Sequence, residues 1–211
     1  FTVLAVSRKD GTVEWQKVVH RELPPARRHY TGSFASNSPV TDGRRIYAFF
    51  GSRGIYCLSL DGELKWQKDL GKMQIKHAHG EGSSPALYND TLIVNWDHEG
   101  QSFVMAFDKH TGDEIWKIAR DERGNNRSTP VLWKNRLRTE IVTTGKFGVR
   151  SYDLDGTLLW ELHGMSNLNA PSPFVSEGLV YISSGYPGGS LRPVYAIHPG
   201  AEGDISIWAD E

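Results

Sequence analysis

Short runs of β-forming residues, cut by turn signals, account for most of the chain. Ser38-Pro39-Val40 leads into Asp42-Gly43, Ile46 to Phe50 follows, and Gly51-Ser52-Arg53-Gly54 interrupts the run. Ile55 to Leu60 is a second run, closed by Asp61-Gly62, and Leu64 to Leu70 completes the unit. Runs of this length between Asp-Gly or glycine-rich turns predict antiparallel hairpins. They place four strands in residues 37–70, over 38–42, 45–50, 54–60 and 63–69. The plan returns over 83–119, 128–162 and 171–211. Residues 1–19 supply the last two strands of an earlier unit, with Asp10-Gly11 and Trp15 in register. No stretch carries a sustained helical period.

The units are true repeats. Trp15, Trp66, Trp116, Trp160 and Trp208 recur at steps of 51, 50, 44 and 48 residues. Ser38-Pro39, Ser84-Pro85, Thr129-Pro130 and Ser172-Pro173 recur at steps of 46, 45 and 43. Four-stranded units with a period near 45 describe β-propeller blades. A sandwich would not repeat its turn chemistry on this schedule. The expectation is an all-β chain, a single β-propeller segment over 1–211. It holds about four and a half blades of a ring of roughly seven or eight. The chain opens at Phe1, inside a strand and without a methionine, so we read it as a piece whose targeting signals lie elsewhere. A partial ring exposes sheet edges, which makes the remaining blades of the parent propeller expected partners.

Composition narrows the function classes. Lysines and arginines number 24 against 25 acidic residues, a net charge of -1, which provides no basic field for nucleic acid. No apolar run reaches the roughly 20 residues that span a bilayer. Cys57 is the only cysteine, so neither an internal disulfide nor a multi-cysteine metal site is available. Its apolar neighbours mark it as a buried small hydrophobe.

The most complete motif is Ala106-Phe107-Asp108-Lys109-His110-Thr111-Gly112-Asp113-Glu114-Ile115-Trp116. It resembles the tryptophan-docking motif Ala-x-Asp-x-x-Thr-Gly-x-x-x-Trp of the pyrroloquinoline-quinone (PQQ) repeat families. Shorter copies end at Trp15, Trp66 and Trp160. In this reading Thr111 and Gly112 make the turn, and the indole packs between adjacent blades while its N–H finds a backbone acceptor. The resemblance implies the fold over the whole chain and leaves activity open, because those families include quinoprotein dehydrogenases, BamB-like outer-membrane assembly scaffolds and exported bacterial PQQ-like proteins. The dehydrogenases use calcium, a carboxylate base and usually a vicinal cysteine pair, and this segment lacks that pair. No cofactor is therefore expected in it. PQQ with calcium enters only if the parent is a quinoprotein oxidoreductase with its site mostly in other blades.

Propeller topology puts the connections between units and the second hairpin loops on one face, where a rigid scaffold carries binding residues. His77, His79 and Glu81 precede the first strand of the 83–119 unit, and Asp97, His98 and Glu99 form its second hairpin. Three imidazoles and three carboxylates can supply a divalent-metal site or a proton-transfer pair. They equally suit turns and strand entries as a structural polar network, which is the reading preferred here. Asn126, Arg127 and Asn169 stand just before the Ser/Thr-Pro entries and can line a channel mouth. Trp96 and Trp133 fall off the repeat register and remain open as surface aromatics. No Ser-His-Asp or Cys-His arrangement follows from the spacing. The preferred function is a non-enzymatic binding or assembly scaffold in the bacterial cell envelope, periplasmic or exported, recognising a protein or envelope component. A quinoprotein oxidoreductase is the alternative and a carbohydrate-binding propeller the third.

Overall fold

The structure, a computed structural model, describes residues 1–23, 30, 32–76, 80–146, 148–166, 170–185, 188 and 190–206. Strands β1 (Thr2–Val6) and β2 (Val13–Val18) form a hairpin. A four-stranded sheet follows, from β3 (Val40–Thr41), β4 (Arg45–Phe49), β5 (Ile55–Ser59) and β6 (Leu64–Lys68). A second has β7 (Ala86–Tyr88), β8 (Thr91–Trp96), β9 (Phe103–Asp108) and β10 (Glu114–Ala119). The third comprises β11 (Val131–Lys134), β12 (Thr139–Thr144), β13 (Gly148–Tyr152) and β14 (Leu158–His163). Strands β15 (Phe174–Ser176), β16 (Leu179–Ser183) and β17 (Val194–Ile197) make the last sheet. Each is an antiparallel meander, and Gly51–Arg53 forms a 3₁₀ turn. This is an all-β partial propeller.

Strands β4, β5, β8 and β9 are largely apolar without alternation because both of their faces are buried. Ile55 and Cys57 on β5 point toward the next sheet, where they meet Leu92, Val94, Phe103, Met105 and Phe107. Tyr56 and Leu58, one residue out of phase, point back to Val3 and the partly buried Trp15 of the hairpin. The scheme recurs with Ile93 and Val104 against Ile141 and Tyr152, and with Val142 and Val149 against Val180 and Ile182. Four cores thus alternate with five sheets, and every core belongs to two sheets. Cys57 is fully buried, and burial pushes its thiol up to about 11, so it stays a protonated hydrophobe.

The Ser/Thr-Pro markers turn out to be inter-sheet rungs. The Ser38 N–H donates to Ser84 Oγ at 2.9 Å, the Ser84 N–H to Thr129 Oγ1 at 3.1 Å, and the Thr129 N–H to Ser172 Oγ at 2.8 Å. Proline after each marker holds the preceding backbone extended, which aims its N–H at the neighbouring unit. One hydroxyl per unit therefore ties the inner strands together. Ser84→Ala is expected to cost about 0.5–1.5 kcal/mol, read by chemical denaturation, because it removes one such acceptor.

Beyond the last sheet, Gly203–Asp204 (β18) pairs in parallel with β14, Trp160 opposite Gly203 and Glu161 opposite Asp204. Ala201 and Ile205 on either side of it are buried in the core between the last two sheets. The expected fourth strand of the last unit, around Trp208, falls on residues 207–211, which lie outside the described residues.

Candidate functional site

The repeat tryptophans come first, since they set the spacing of everything above them. Trp15 Nε1 donates to the Leu60 carbonyl of the next sheet at 2.8 Å, Trp66 to Lys109 at 3.0 Å, and Trp116 to Leu154 at 2.9 Å. The receiving turns carry Gly62, Gly112 and Gly156, each at positive φ. A Cβ on Gly62 would meet the Trp15 ring at 2.8 Å, and one on Gly112 the Trp66 ring at 2.7 Å. Glycine is required there twice over, for its φ and for the approach of the indole. Asp108 shapes the Gly112 turn by accepting from the N–H groups of His110 and Thr111, and the Thr111 hydroxyl accepts from Asp113 N–H. Ala106 lies opposite Trp116 across β9 and β10.

Trp160 departs from this arrangement. Its ring is fully buried and its N–H donates to Glu140 Oε2 of its own sheet at 2.8 Å. Trp133 takes over the inter-sheet bond, donating to the Gly178 carbonyl of the last sheet at 3.1 Å. Trp96 is buried as well, stacked on Phe103 at 5.4 Å between ring centres. Neither off-register tryptophan is a surface aromatic: both fill inter-sheet cores, and the sugar-stacking reading loses the residues that suggested it.

The connections that share a face with the second hairpin loops do meet. Glu81 reaches back to the preceding sheet, where its carboxylate accepts from Ser52 N–H at 2.5 Å, Ser52 Oγ at 2.7 Å and Arg53 Nη1 at 3.0 Å. Arg53 also donates to Glu22 at 2.5 Å, so two connections clamp one loop. Glu22 is held down at about 2: its partial burial works the other way, and His20, Arg53 and Lys72 outweigh it.

His98 is buried with both ring nitrogens engaged. Nδ1 accepts from the N–H groups of Gln74 and Gly100, each at 3.0 Å, and Nε2 lies 3.1 Å from the Gln101 carbonyl. Two donors on Nδ1 assign the proton to Nε2, the neutral tautomer. Burial lowers the pKa of His98. Because the folded chain holds fewer protons here than the unfolded chain, this contribution to stability is full above the unfolded value near 6.5 and is lost as pH falls below it. His98→Gln should flatten the fall in thermal midpoint between pH 7.5 and 5 relative to wild type.

A buried charge chain lies deeper, between the sheets β7–β10 and β11–β14. Asp97 Oδ2 accepts from Asn95 Nδ2 and Asn126 Nδ2, both at 3.0 Å, with Arg120 Nη1 at 3.3 Å. Arg120 Nη1 donates to Asn95 Oδ1 at 2.5 Å, and its Nη2 lies 3.7 Å from Glu122. Glu122 pairs with Arg150 at 2.5 Å, and Arg150 with Glu161 at 3.4 Å. Asn126 also donates to the Thr144 carbonyl and accepts from Ser128 N–H at 2.8 Å. Burial raises Asp97 against the pull of Arg120. Arg120 is raised too: burial disfavours its charge, but Asp97, Tyr152 and Glu122 prevail. Among the described residues, the buried side-chain atoms without a hydrogen-bond partner are Asp97 Oδ1, Arg120 Nε and Nη2 of this chain, Ser128 Oγ and Thr144 Oγ1, whose backbones bond Asn126, and Glu99 Oε2 and Asn125 Oδ1.

Sequence reading reached Glu81, Asp97, His98, Glu99, Asn126 and Arg127 but not the partners that define their roles. Arg127 packs its stem against Gly82, 3.3 Å from where a Cβ would stand. His77, His79 and Asn169 lie outside the described residues. Among those described, no three His, Cys, Asp or Glu side chains are grouped to hold a metal ion. The oxygens of Glu81, Oδ2 of Asp97 and the ring nitrogens of His98 are bonded within the chain, whereas Asp97 Oδ1 and Glu99 Oε2 are not. Glu122, Glu140 and Arg150 were missed. Their signal was a charged residue inside or beside an apolar strand, as in Thr139-Glu140-Ile141-Val142.

A family model described as the outer membrane protein assembly factor BamB matches residues 1–211. No curated protein matches the sequence. Quinohemoprotein alcohol dehydrogenase ADHIIG from Pseudomonas putida HK5 is similar in structure, at 16% identity over 70% of this chain and 28% of that one, TM-score 0.53. The quinohemoprotein alcohol dehydrogenase of Comamonas testosteroni is similar at 9% identity over 93% of this chain and 37% of that one, TM-score 0.52. BamB from Moraxella catarrhalis is 14% identical over 87% of this chain and 64% of that one, TM-score 0.44. The chain thus spans less than two thirds of each, and at these identities the likeness is one of fold.

Proposed function

Because the chain belongs to the outer membrane protein assembly factor BamB family, we propose that it is part of a non-enzymatic binding scaffold of the bacterial envelope. One observation carries this reading. The chemically rich connections spend their polar groups on holding neighbouring sheets, as Glu81 does on Ser52 and Arg53. Connections anchored in this way are suited to presenting a surface to a partner. The partner is then a protein or other envelope component, met in the periplasm. No helix among the described residues is long and apolar enough to cross a membrane.

The complete protein should show no saturable uptake of PQQ at micromolar concentration with calcium, followed by ligand absorbance and thermal midpoint. Cells deprived of it should carry less folded β-barrel protein in the outer membrane. Saturable PQQ binding with a raised midpoint would instead establish the quinoprotein alternative, since a ligand selective for the native state stabilises it.

A further inference from the structure

The connection from β6 to β7 forms no strand over residues 70–76, and its backbone is held by two other loops. The Met73 N–H donates to Ser52 Oγ at 2.7 Å, and Lys72 Nζ to the Ser52 carbonyl at 3.0 Å. Gln74 spends both of its backbone groups on the second hairpin of the next sheet. Its N–H donates to His98 Nδ1 and its carbonyl accepts from the Glu99 N–H, each at 3.0 Å. Leu70 and Met73 pack against the core to which Phe49, Trp96 and Phe103 belong. The connection is therefore a cover on that core.

Of these holds, only the one on His98 depends on a titratable acceptor. The ring is closely seated: a Cβ on Gly100 would stand 2.5 Å from its Cε1, and it meets Trp96 edge-on with centres 6.2 Å apart. Nε2 carries the proton toward the Gln101 carbonyl, so a second proton can enter only at Nδ1. There it turns an acceptor into a donor aimed at the N–H groups of Gln74 and Gly100, and both bonds are lost at once. Gly100 belongs to a hairpin that the Ser102 hydroxyl pins to the His98 backbone. Gln74 is exposed and outside any strand, so it is the group that yields. Among the described residues, the charges facing the ring are Asp97 and Glu99 of its own hairpin and Glu81 farther along the connection. All three favour the imidazolium, and Arg127 in turn faces Glu99. Burial outweighs them and keeps the ring neutral at pH 7.

We propose that His98 is an acid-sensitive latch on residues 70–76: the neutral ring holds Gln74 to the second sheet, and the imidazolium releases the connection from the core it covers. The opening is local. Strands β8 and β9 on either side of the hairpin keep their backbone ladder, while the connection is left with its Ser52 and Glu99 bonds. Segments held by few, exposed backbone hydrogen bonds open well below the cost of global unfolding. Histidine protonation is the charge change that drives such a step between pH 7 and 5. Opening frees Leu70 and Met73, so apolar surface is presented in acid and withdrawn at neutral pH. The latch is the same whether the protein is a scaffold or an enzyme.

Hydrogen exchange of the complete protein tests this, read by mass spectrometry at pH 7.5 and pH 5 and corrected for the intrinsic pH dependence of exchange. Peptides over residues 70–76 lose protection several-fold at pH 5, while those over β8 and β9 do not change. His98→Asn, whose amide oxygen can stand near the place of Nδ1 and accepts at either pH, abolishes the difference. In the wild type alone, the midpoint of the loss coincides with the titration of the His98 ring followed by NMR, a reading that needs no variant to fold. Unchanged protection over 70–76, an equal loss in His98→Asn, or a midpoint displaced from the His98 titration overturns the inference. Loss of protection in β8 and β9 together with the connection also overturns it, because His98 then governs global acid stability and latches nothing.

Discussion

Arg120→Met is expected to destabilise the protein by about 3–5 kcal/mol, the cost of breaking a buried ion pair by removing one partner. Among the described residues Arg120 is the one cation within ion-pair distance of Asp97, at 3.3 Å, and it also faces Glu122 at 3.7 Å. Methionine fills much of the volume but leaves the Asp97 carboxylate buried without a cation and the Asn95 carbonyl oxygen without its donor. Glu122 keeps Arg150 at 2.5 Å, so the damage concentrates on Asp97. A fall of roughly 6–20 °C in thermal midpoint follows for a chain of this size. Adding Asp97→Asn to Arg120→Met should recover a substantial part of that loss. The neutral amide keeps an acceptor for Asn95 or Asn126 and no longer carries an unpaired charge. If the double variant is no more stable than Arg120→Met alone, the buried charge is not the cause of the loss. Among the described residues the two sheets that meet here share no backbone–backbone hydrogen bonds, so side chains such as these supply the polar part of their contact.

This charge chain also marks where sequence reading stops. The strands were legible because their determinants are local: Asp61-Gly62, Asp155-Gly156 and Thr111-Gly112 specify turns within a few residues, and the tryptophans repeat beside them. The observed β4 and β5, Arg45–Phe49 and Ile55–Ser59, lie within one residue of the predicted 45–50 and 54–60. The Ser/Thr-Pro markers were legible as a period, yet their use as inter-sheet rungs needs contacts some 45 residues apart. Asp97 and Arg120 are harder still. They occupy loops 23 residues apart, where polar residues ordinarily face water, and only the packing of two sheets buries both. His98 had the residue type of a metal ligand. What decides its role is a pair of backbone N–H groups, from Gln74 and Gly100, that no motif announces. The fold was written locally, and the site was written across sheets.

Glu140→Leu is the other substitution expected to cost several kcal/mol, and it bears on why the repeat changes at Trp160. Glu140 is fully buried in β12 and gathers four donors. Oε2 accepts from Trp160 Nε1 at 2.8 Å and from Ser151 Oγ at 2.7 Å; Oε1 accepts from Asn135 Nδ2 at 2.9 Å and Arg138 Nε at 3.2 Å. Leucine leaves the indole N–H and the Ser151 hydroxyl buried without partners, at about 1–3 kcal/mol each, while the partly exposed Arg138 can turn to water. The expected loss is about 3–5 kcal/mol, measured by denaturant unfolding. Trp160→Phe removes the donor and should therefore cost less in the Glu140→Leu background than in the wild type, a positive coupling in the double-mutant cycle. Trp66 provides the contrast. Its N–H crosses to the Lys109 carbonyl of the next sheet, so Trp66→Phe should show no coupling to Glu140→Leu. Coupling at both tryptophans would mean that Glu140 acts by distorting the array as a whole. Coupling at Trp160 alone would establish that a single acidic residue in β12 has turned a between-sheet indole into a within-sheet one, leaving Trp133 to make the next junction.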